Sequence, residues 1–268
     1  MNEIYFPVEK VPVEDICIPG LEHPSGISHA IVVTKPDGVK RVVQYCSDIY
    51  YLVENSSIVP VFESEISRFY NVEKKIKVDR FARFFIDFIL KDKLISIMEK
   101  DQIFPRIRLI NSYDGSIRYH FQTGFWRVVC SNGMMRPAGT IKEFQSMHTP
   151  KLGKETSFEE VLAMTSEFLA EASEISEVYH ELQEQPVNDW MMRIEEVTEE
   201  TGFPVSLQED VTERMGIELD ILGGGSQPTD WLVYNAFNYQ LNHNEELKAK
   251  ESKKDAMDQE VLAYLLKY

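Results

Sequence analysis

Residues 104–129 read FPRIRLINSYDGSIRYHFQTGFWRVV, and this stretch decides the fold. Ile107 and Leu109 on one side of Tyr113-Asp114-Gly115-Ser116, and Ile117, Tyr119 and Phe121 on the other, alternate with other residues. A period of two belongs to a strand with one face in a core, and an Asp-Gly pair between two such runs is a hairpin signal. The stretch therefore predicts two antiparallel strands joined by a tight turn. Arg106, Arg108 and Arg118 fill alternate positions, so they are expected together on the opposite face of the sheet.

Upstream, DRFARFFIDFILKD (79–92) is dense enough in apolar residues for a buried helix. Its aromatic and β-branched content favours a strand, which makes residues 80–123 a three-stranded antiparallel meander. AIVVTKPDGVKRVVQY (30–45) carries two β-rich runs around Pro36-Asp37-Gly38, a second hairpin. IYYLVENSSIVPVF (49–62) is again β-branched, with Asn55-Ser56-Ser57 as a break, and reads as further short strands and turns.

After Thr156 the period changes. Ser157-x-x-Glu160 forms a capping box. Phe158, Val161, Leu162, the half-apolar Thr165, Phe168, Leu169, Ala172, Ile175, Val178, Tyr179 and Leu182 follow at three–four spacing, which predicts one long helix over 157–184 ended by Pro186. A second helix runs from Trp190 to Gly202. A short third opens at Ser206-x-x-Glu209 and ends at Gly216. ILGGGSQP (221–228) is a linker, Thr229 caps a fourth helix reaching Leu241, and residues 256–267 form a fifth. Strands first and helices afterwards is an α+β order. The expected architecture is an antiparallel β-meander sheet in residues 1–150 packed with a helical region in residues 151–268.

The charge divides at the same place. The net charge is −16. Residues 1–150 carry 19 Lys+Arg and 18 Asp+Glu, whereas 151–268 carry 9 and 26. No apolar run approaches the ~20 residues of a membrane span, and MNEIYFPVEK has neither the basic start nor the apolar core of a signal peptide. Cys17, Cys46 and Cys130 are too few and too scattered for a disulfide framework. A cytoplasmic protein without membrane contact is expected.

Catalytic patterns are weak. In WRVVCSNGMMRP (126–137), Cys130 would need a base such as His120 or His148 to act as a nucleophile. A cysteine at a strand end is more simply a small buried residue, and Asn132-Gly133 reads as a turn. Cys17-x5-His23-x5-His29 lacks the fourth ligand and the tight spacing of a structural zinc site. Gly223-Gly224-Gly225 has no lysine after it and fails the phosphate-loop pattern. No metal, cofactor or catalytic residue is expected. The stronger signal is basic: residues 73–108 hold ten Lys+Arg against six Asp+Glu, interleaved with Phe81, Phe84, Phe85 and Phe88. Cations neutralise phosphates, and exposed aromatics stack on unpaired bases. The bland alternative makes the phenylalanines core and the cations a solvated face.

Five stretches together resemble a family of phage- and plasmid-encoded proteins known as a domain of unknown function, family nine-three-two. They are RVVQYCSDIYYLVEN (41–55), INSYDGSIRY (110–119), RVVCSNGM (127–134), His148-Thr149 and DWLVYNAFNYQLNH (230–243). Within them Asn111, Asp114, Gly115, Arg127, Cys130, Asn132, His148, Thr149, Trp231 and Asn235 carry the likeness. Asn132-Gly133 departs from it, since the family more often has Asn followed by Thr and Leu. The resemblance implies a mobile-element origin and a setting in DNA metabolism or host interaction, and no particular activity. A β-meander backed by a helix also looks loosely like the core of phage single-strand annealing proteins, by analogy of fold alone.

The resulting expectation is a non-enzymatic protein that tracks single-stranded DNA with Lys74, Lys75, Lys77, Arg80, Arg83, Arg106, Arg108 and Arg118. Arg127 is expected near that basic face. The acidic helices would mediate homo-oligomer or partner contacts. The alternative is an acidic interaction module that acts on a host or phage protein associated with DNA.

Overall fold

In a computed structural model, residues 4–16, 26–99, 101–127, 132–134, 143–146, 148, 158–222, 227–244, 246–247, 249 and 251–267 are described. Two compact units emerge. They cut across the boundary expected near residue 150: one comprises Met1–Leu90, Ile107–Gln122 and Lys142–Ser166, the other Lys91–Arg106, Thr123–Ile141 and Glu167–Tyr268. Charge still segregates. The first unit holds 15 Lys+Arg and 18 Asp+Glu, a net of −3; the second holds 13 and 26, a net of −13.

The first unit begins with three antiparallel strands, β1 (Val8–Pro12), β2 (His29–Thr34) and β3 (Lys40–Cys46), in that spatial order. The predicted turn joins β2 to β3: Gly38 has φ +82°, and the Asp37 carboxylate accepts the Val39 amide at 3.0 Å. The register slips by one residue between Ile31 and Val32, so Val43 is an extra residue that bulges β3.

The next segment corrects the sequence reading. Residues 55–62, expected as a break followed by a strand, instead open helix α1 (Asn55–Ile66), with Pro60 inside it. Val59, Phe62 and Ile66 are buried at three–four spacing, and the Phe62 ring packs on Phe88 and Phe121 at 4.9 and 4.8 Å. Burial of that stripe outweighs poor helix propensity.

Strands β4 (Val72–Asp79) and β5 (Arg83–Leu90) pair antiparallel. With β6 (Ile95–Met98), β7 (Asp101–Ser112), β8 (Tyr119–Arg127), β9 (Asn132–Met134) and β10 (Glu143–Ser146) they form a seven-stranded sheet of order β10-β8-β7-β5-β4, in which β6 pairs β7 and β9 pairs β8. The meander of β5, β7 and β8 is the expected one, with the short β6 added. The division between units falls within β7, after Arg106, and within β8, after Gln122. Asn132-Gly133 is not the turn expected from the sequence. It opens β9, with Asn132 opposite Arg127 and Gly133 opposite Trp126. Ladder pairing with β8 has claimed these residues.

The helical order also holds. Helices α2 (Phe158–Glu184), α3 (Trp190–Thr201), α4 (Gln208–Leu222), α5 (Asp230–His243) and α6 (Glu251–Leu265) follow, so the class is α+β. Asp189 caps α3 by accepting the Met192 amide, and Gly202 ends it in the left-handed conformation. Gly216 does not stop α4, which continues to Leu222 because Val211, Arg214, Met215 and Glu218 are buried on one stripe. Thr229 stands at the N-cap of α5 without a side-chain cap; its hydroxyl donates to Gln183 Oε1 instead. Residues 230–238 of α5 are buried all round, the mark of a central helix. Its Trp231, Tyr234 and Phe237 join Phe168, Tyr179 and Ile194 in the core of the second unit. Ser157, Cys17, His23, Cys130, Thr149 and Gly223-Gly224-Gly225 lie outside the described residues.

Candidate functional site

The expected cations separate into three groups. Arg106 and Arg108 share a sheet face, as alternation requires, but that face is not open to solvent. They are 1% and 8% exposed, and Arg108 makes a two-pronged pair with Asp87 of β5 at 2.8 and 3.1 Å. Both leave the candidate nucleic-acid set, because a buried guanidinium cannot reach a phosphate. Lys74 and Arg83 are half-buried: Lys74 pairs with Glu63 of α1, and Arg83 with Asp79 and Asp114 at 3.1 and 2.9 Å. Lys75, Lys77, Arg80 and Arg118 are exposed. Lys75 and Lys77 stand two residues apart on β4, so they share one face. The Lys77 ammonium lies 5.9 Å from the Phe85 ring. Of the interleaved phenylalanines, Phe84, Phe85 and Phe88 are core and only Phe81 is exposed.

Arg80 and Phe81 stand out in their backbone. They form the turn from β4 to β5, closed by the Ala82 amide on the Asp79 carbonyl at 3.1 Å, and their φ values are +54° and +58°. Two successive left-handed residues make the turn that hairpins favour, and Asn-Gly is the usual choice there. Each ordinary side chain in that region costs roughly 1 kcal/mol. The turn thus shows a cation and an aromatic ring at an energetic cost. It abuts the next turn, because Arg83 also donates to Ser116 Oγ at 2.8 Å and the Tyr113 amide bonds the Ala82 carbonyl at 2.7 Å.

That second turn, between β7 and β8, organises the rest of the first unit. Asp114 accepts the Ser116 amide at 3.0 Å, and Gly115 has φ +65° with the Gln44 amide packed against it. Asn111 donates to the Val53 carbonyl and to Asn55 Oδ1, both at 2.9 Å, and the Tyr113 hydroxyl accepts the Asn55 amide at 3.0 Å. Two side chains thereby fix the start of α1. His148 stacks on Tyr50 with ring centroids 5.2 Å apart. It accepts the Tyr51 amide at its carbonyl and donates from Nδ1 to the Tyr51 carbonyl at 3.2 Å. Burial raises the Tyr50, Tyr113 and Tyr119 phenols, so all three stay neutral. Burial also pushes the Cys46 thiol up, which leaves it a poor nucleophile.

Burial lowers the His148 value, and the Tyr51 and Ile117 carbonyls offset only part of that effect. Its sign fixes a pH dependence. Above about 6.5 the ring is neutral in folded and unfolded chains alike. As pH falls below that value the unfolded chain takes up a proton first, so stability drops until the folded value is passed. His148→Phe keeps the stacking and removes the titration. Urea midpoints measured across the acid limb should therefore fall less steeply in the variant than in the wild type; parallel limbs would reject the assignment.

The second unit holds a buried charge network. Arg127 of β8 donates to Asp101 of β7 through Nε at 2.8 Å and to Glu218 of α4 at 2.8 Å. Glu218 also takes Arg214 at 2.6 Å, and Trp231 Nε1 donates to Asp101 at 2.7 Å. The Arg214 guanidinium lies 3.8 Å from the Tyr239 ring centre. Arg127, Asp101 and Glu218 are fully buried, and two acids balance two bases. Nearby on α5, Tyr234 and Asn238 donate to Asp258 of α6 at 3.0 and 2.8 Å, and Asn235 donates to the Trp231 carbonyl at 2.6 Å. Arg127, expected near a basic face, is instead fully buried in this network.

A family model described as Domain of unknown function (DUF932) matches residues 42–262. The chain belongs to the DUF932 family. Neither curated proteins nor solved structures give a match. In this DUF932 protein the five stretches resolve into two sets. Residues 41–55, 110–119 and His148 meet around the β7–β8 turn of the first unit. Arg127 and Trp231 meet at Asp101 in the second. Asp101, Asp87, Arg214, Glu218 and Asp258 escaped the sequence reading. Asp87 alone carried a local signal, being the single charge inside the apolar run of β5. Among the described residues no group of three or more His, Cys, Asp or Glu is placed to hold a metal, and no helix is long and apolar enough to cross a membrane.

Proposed function

We propose that the first unit binds single-stranded nucleic acid at the sheet end where Arg80, Phe81 and Arg118 project, with Lys75 and Lys77 extending the track along β4. The left-handed Arg80-Phe81 turn carries this reading. A residue pair held in a costly conformation and exposed to solvent is a candidate for function, and a guanidinium beside an aromatic ring suits a phosphate beside an unpaired base. The near-neutral first unit permits such contact, while the −13 of the second opposes it. A non-enzymatic role in a phage- or plasmid-type setting in the host cytoplasm belongs to the same reading.

Arg80→Asn tests it. Asparagine tolerates the left-handed region, so thermal stability should hold or rise by up to ~1 kcal/mol. Fluorescence anisotropy with a labelled oligonucleotide should show affinity down several-fold and the salt slope reduced by about 0.7. Unchanged affinity would exclude Arg80 from the surface, and no binding at low salt would remove the proposal.

A second reading assigns protein contact to the acidic unit. It is supported by Met191 and Met192, 60% and 57% exposed on α3 beside Glu195 and Glu199. Exposed methionines adapt to apolar partner residues, and the surrounding carboxylates favour a basic partner. Under that reading the protein has no oligonucleotide affinity and retains a basic host protein that high salt releases.

A further inference from the structure

The nucleic-acid track proposed above accounts for one exposed ring, Phe81. Three more large apolar side chains are exposed in the same unit within seven residues: Tyr45 (51%), Ile49 (62%) and Tyr51 (41%). Tyr45 and Tyr51 flank, and Ile49 lies within, a turn closed by the Tyr50 amide on the Ser47 carbonyl at 3.3 Å. Single exposed hydrophobics are ordinary, but a cluster in a held loop is not. The loop is held on both sides. Lys10 Nζ donates to the Asp48 and Tyr50 carbonyls at 2.6 and 2.9 Å, and His148 clasps the Tyr51 backbone and stacks on Tyr50. The bulge at Val43 lies two residues before Tyr45, and bulges re-aim the side chains that follow them.

Charge and position name the occupant. The Gln44 side chain, next to Tyr45, packs against Gly115 of the β7–β8 turn, and Arg83 ties Asp114 of that turn to the Arg80-Phe81 turn, so the Tyr45–Tyr51 loop, the β7–β8 turn and the β4–β5 turn are successive neighbours. Exposed Arg118 and Arg80 lie on the two turns. An apolar peptide would gain nothing from such cations. A polyanion with flat, unpaired rings would use both.

We infer that Tyr45 and Tyr51 are base-stacking residues that give the proposed surface its selectivity for single strands over duplex. This rests on the nucleic-acid reading and adds to it the residues that detect unpaired bases. Rings in a duplex are stacked on one another and unavailable, whereas phosphates are present in both forms.

Fluorescein-labelled oligo(dT) and the duplex made from it with oligo(dA) distinguish the two claims in anisotropy titrations of the full chain. Tyr45→Ser/Tyr51→Ser should weaken oligo(dT) binding by at least about tenfold, with the slope of log K against log salt unchanged and duplex affinity little altered. Tyr45→Phe/Tyr51→Phe keeps the rings and should bind oligo(dT) like wild type. Both pairs are exposed, and circular dichroism melts check that each variant is folded. Wild-type binding that is equal for single strand and duplex, or that survives the serine pair intact, overturns the stacking role and leaves the cation track standing. Failure of wild type to bind either probe at low salt overturns both.

Discussion

Arg127→Met should destabilise the protein by about 3–5 kcal/mol, because it strips a buried ion network of its central cation. Asp101 would keep the Trp231 N–H, and Glu218 would keep Arg214. Neither contact supplies the charge that Arg127 brings to both carboxylates at once. The substitution leaves one excess negative charge where Arg127, Asp101 and Glu218 are fully buried. Against a typical total of roughly 5–15 kcal/mol, such a loss is readily seen. Urea unfolding followed by tryptophan emission should show a much lower midpoint with little change in slope. Adding Asp101→Asn to Arg127→Met removes the excess charge and should recover part of the loss. An unchanged midpoint in the single variant would mean that the network contributes nothing to stability. The two residues of this network that resemblance singled out, Arg127 and Trp231, thus have a physical reason for being what they are. They join strands to helices inside one unit.

The legible parts of the fold were those written locally. Pro36-Asp37-Gly38, the apolar stripe of α2 and the β7–β8 strand pair each lie within one short window, and each formed as read, except that β7 and β8 bury both faces rather than one. Helix α1 was illegible because Ile58, Val59, Pro60 and Val61 all argue against a helix. What makes it one is remote: Phe62 against Phe88 and Phe121, and Asn111 and Tyr113 at its start. Gly216 misled for the converse reason, since a glycine tolerated in a packed helix looks like a stop. The candidate site was half legible. Alternation placed Arg106 and Arg108 on one face correctly, yet alternation does not say which face water reaches. Asp87, 21 residues from Arg108, decides that. The Arg80-Phe81 turn lacks the asparagine and glycine by which such turns are recognised, so its cost and its exposure came only with the backbone angles.

Salt should weaken oligonucleotide binding steeply, and only the exposed cations should set the slope. Single strands lose affinity with a slope of about −0.7 per neutralised phosphate. If Lys75, Lys77, Arg80 and Arg118 each neutralise one, the slope is about −2.8, and raising salt from about 50 to 200 mM costs roughly 50-fold in affinity. Lys75→Ala/Lys77→Ala/Arg80→Ala/Arg118→Ala should flatten the slope towards zero while leaving the melting temperature nearly unchanged, since pairs between exposed charges contribute little. Arg108→Ala is the opposite control. It leaves Asp87 buried without its two-pronged partner, so stability should fall by a few kcal/mol while the salt slope of the folded fraction stays at its wild-type value. A flattened slope in Arg108→Ala would mean that the buried face opens to the strand. A steep slope that survives in the fourfold variant would move the binding surface away from β4 and its turn.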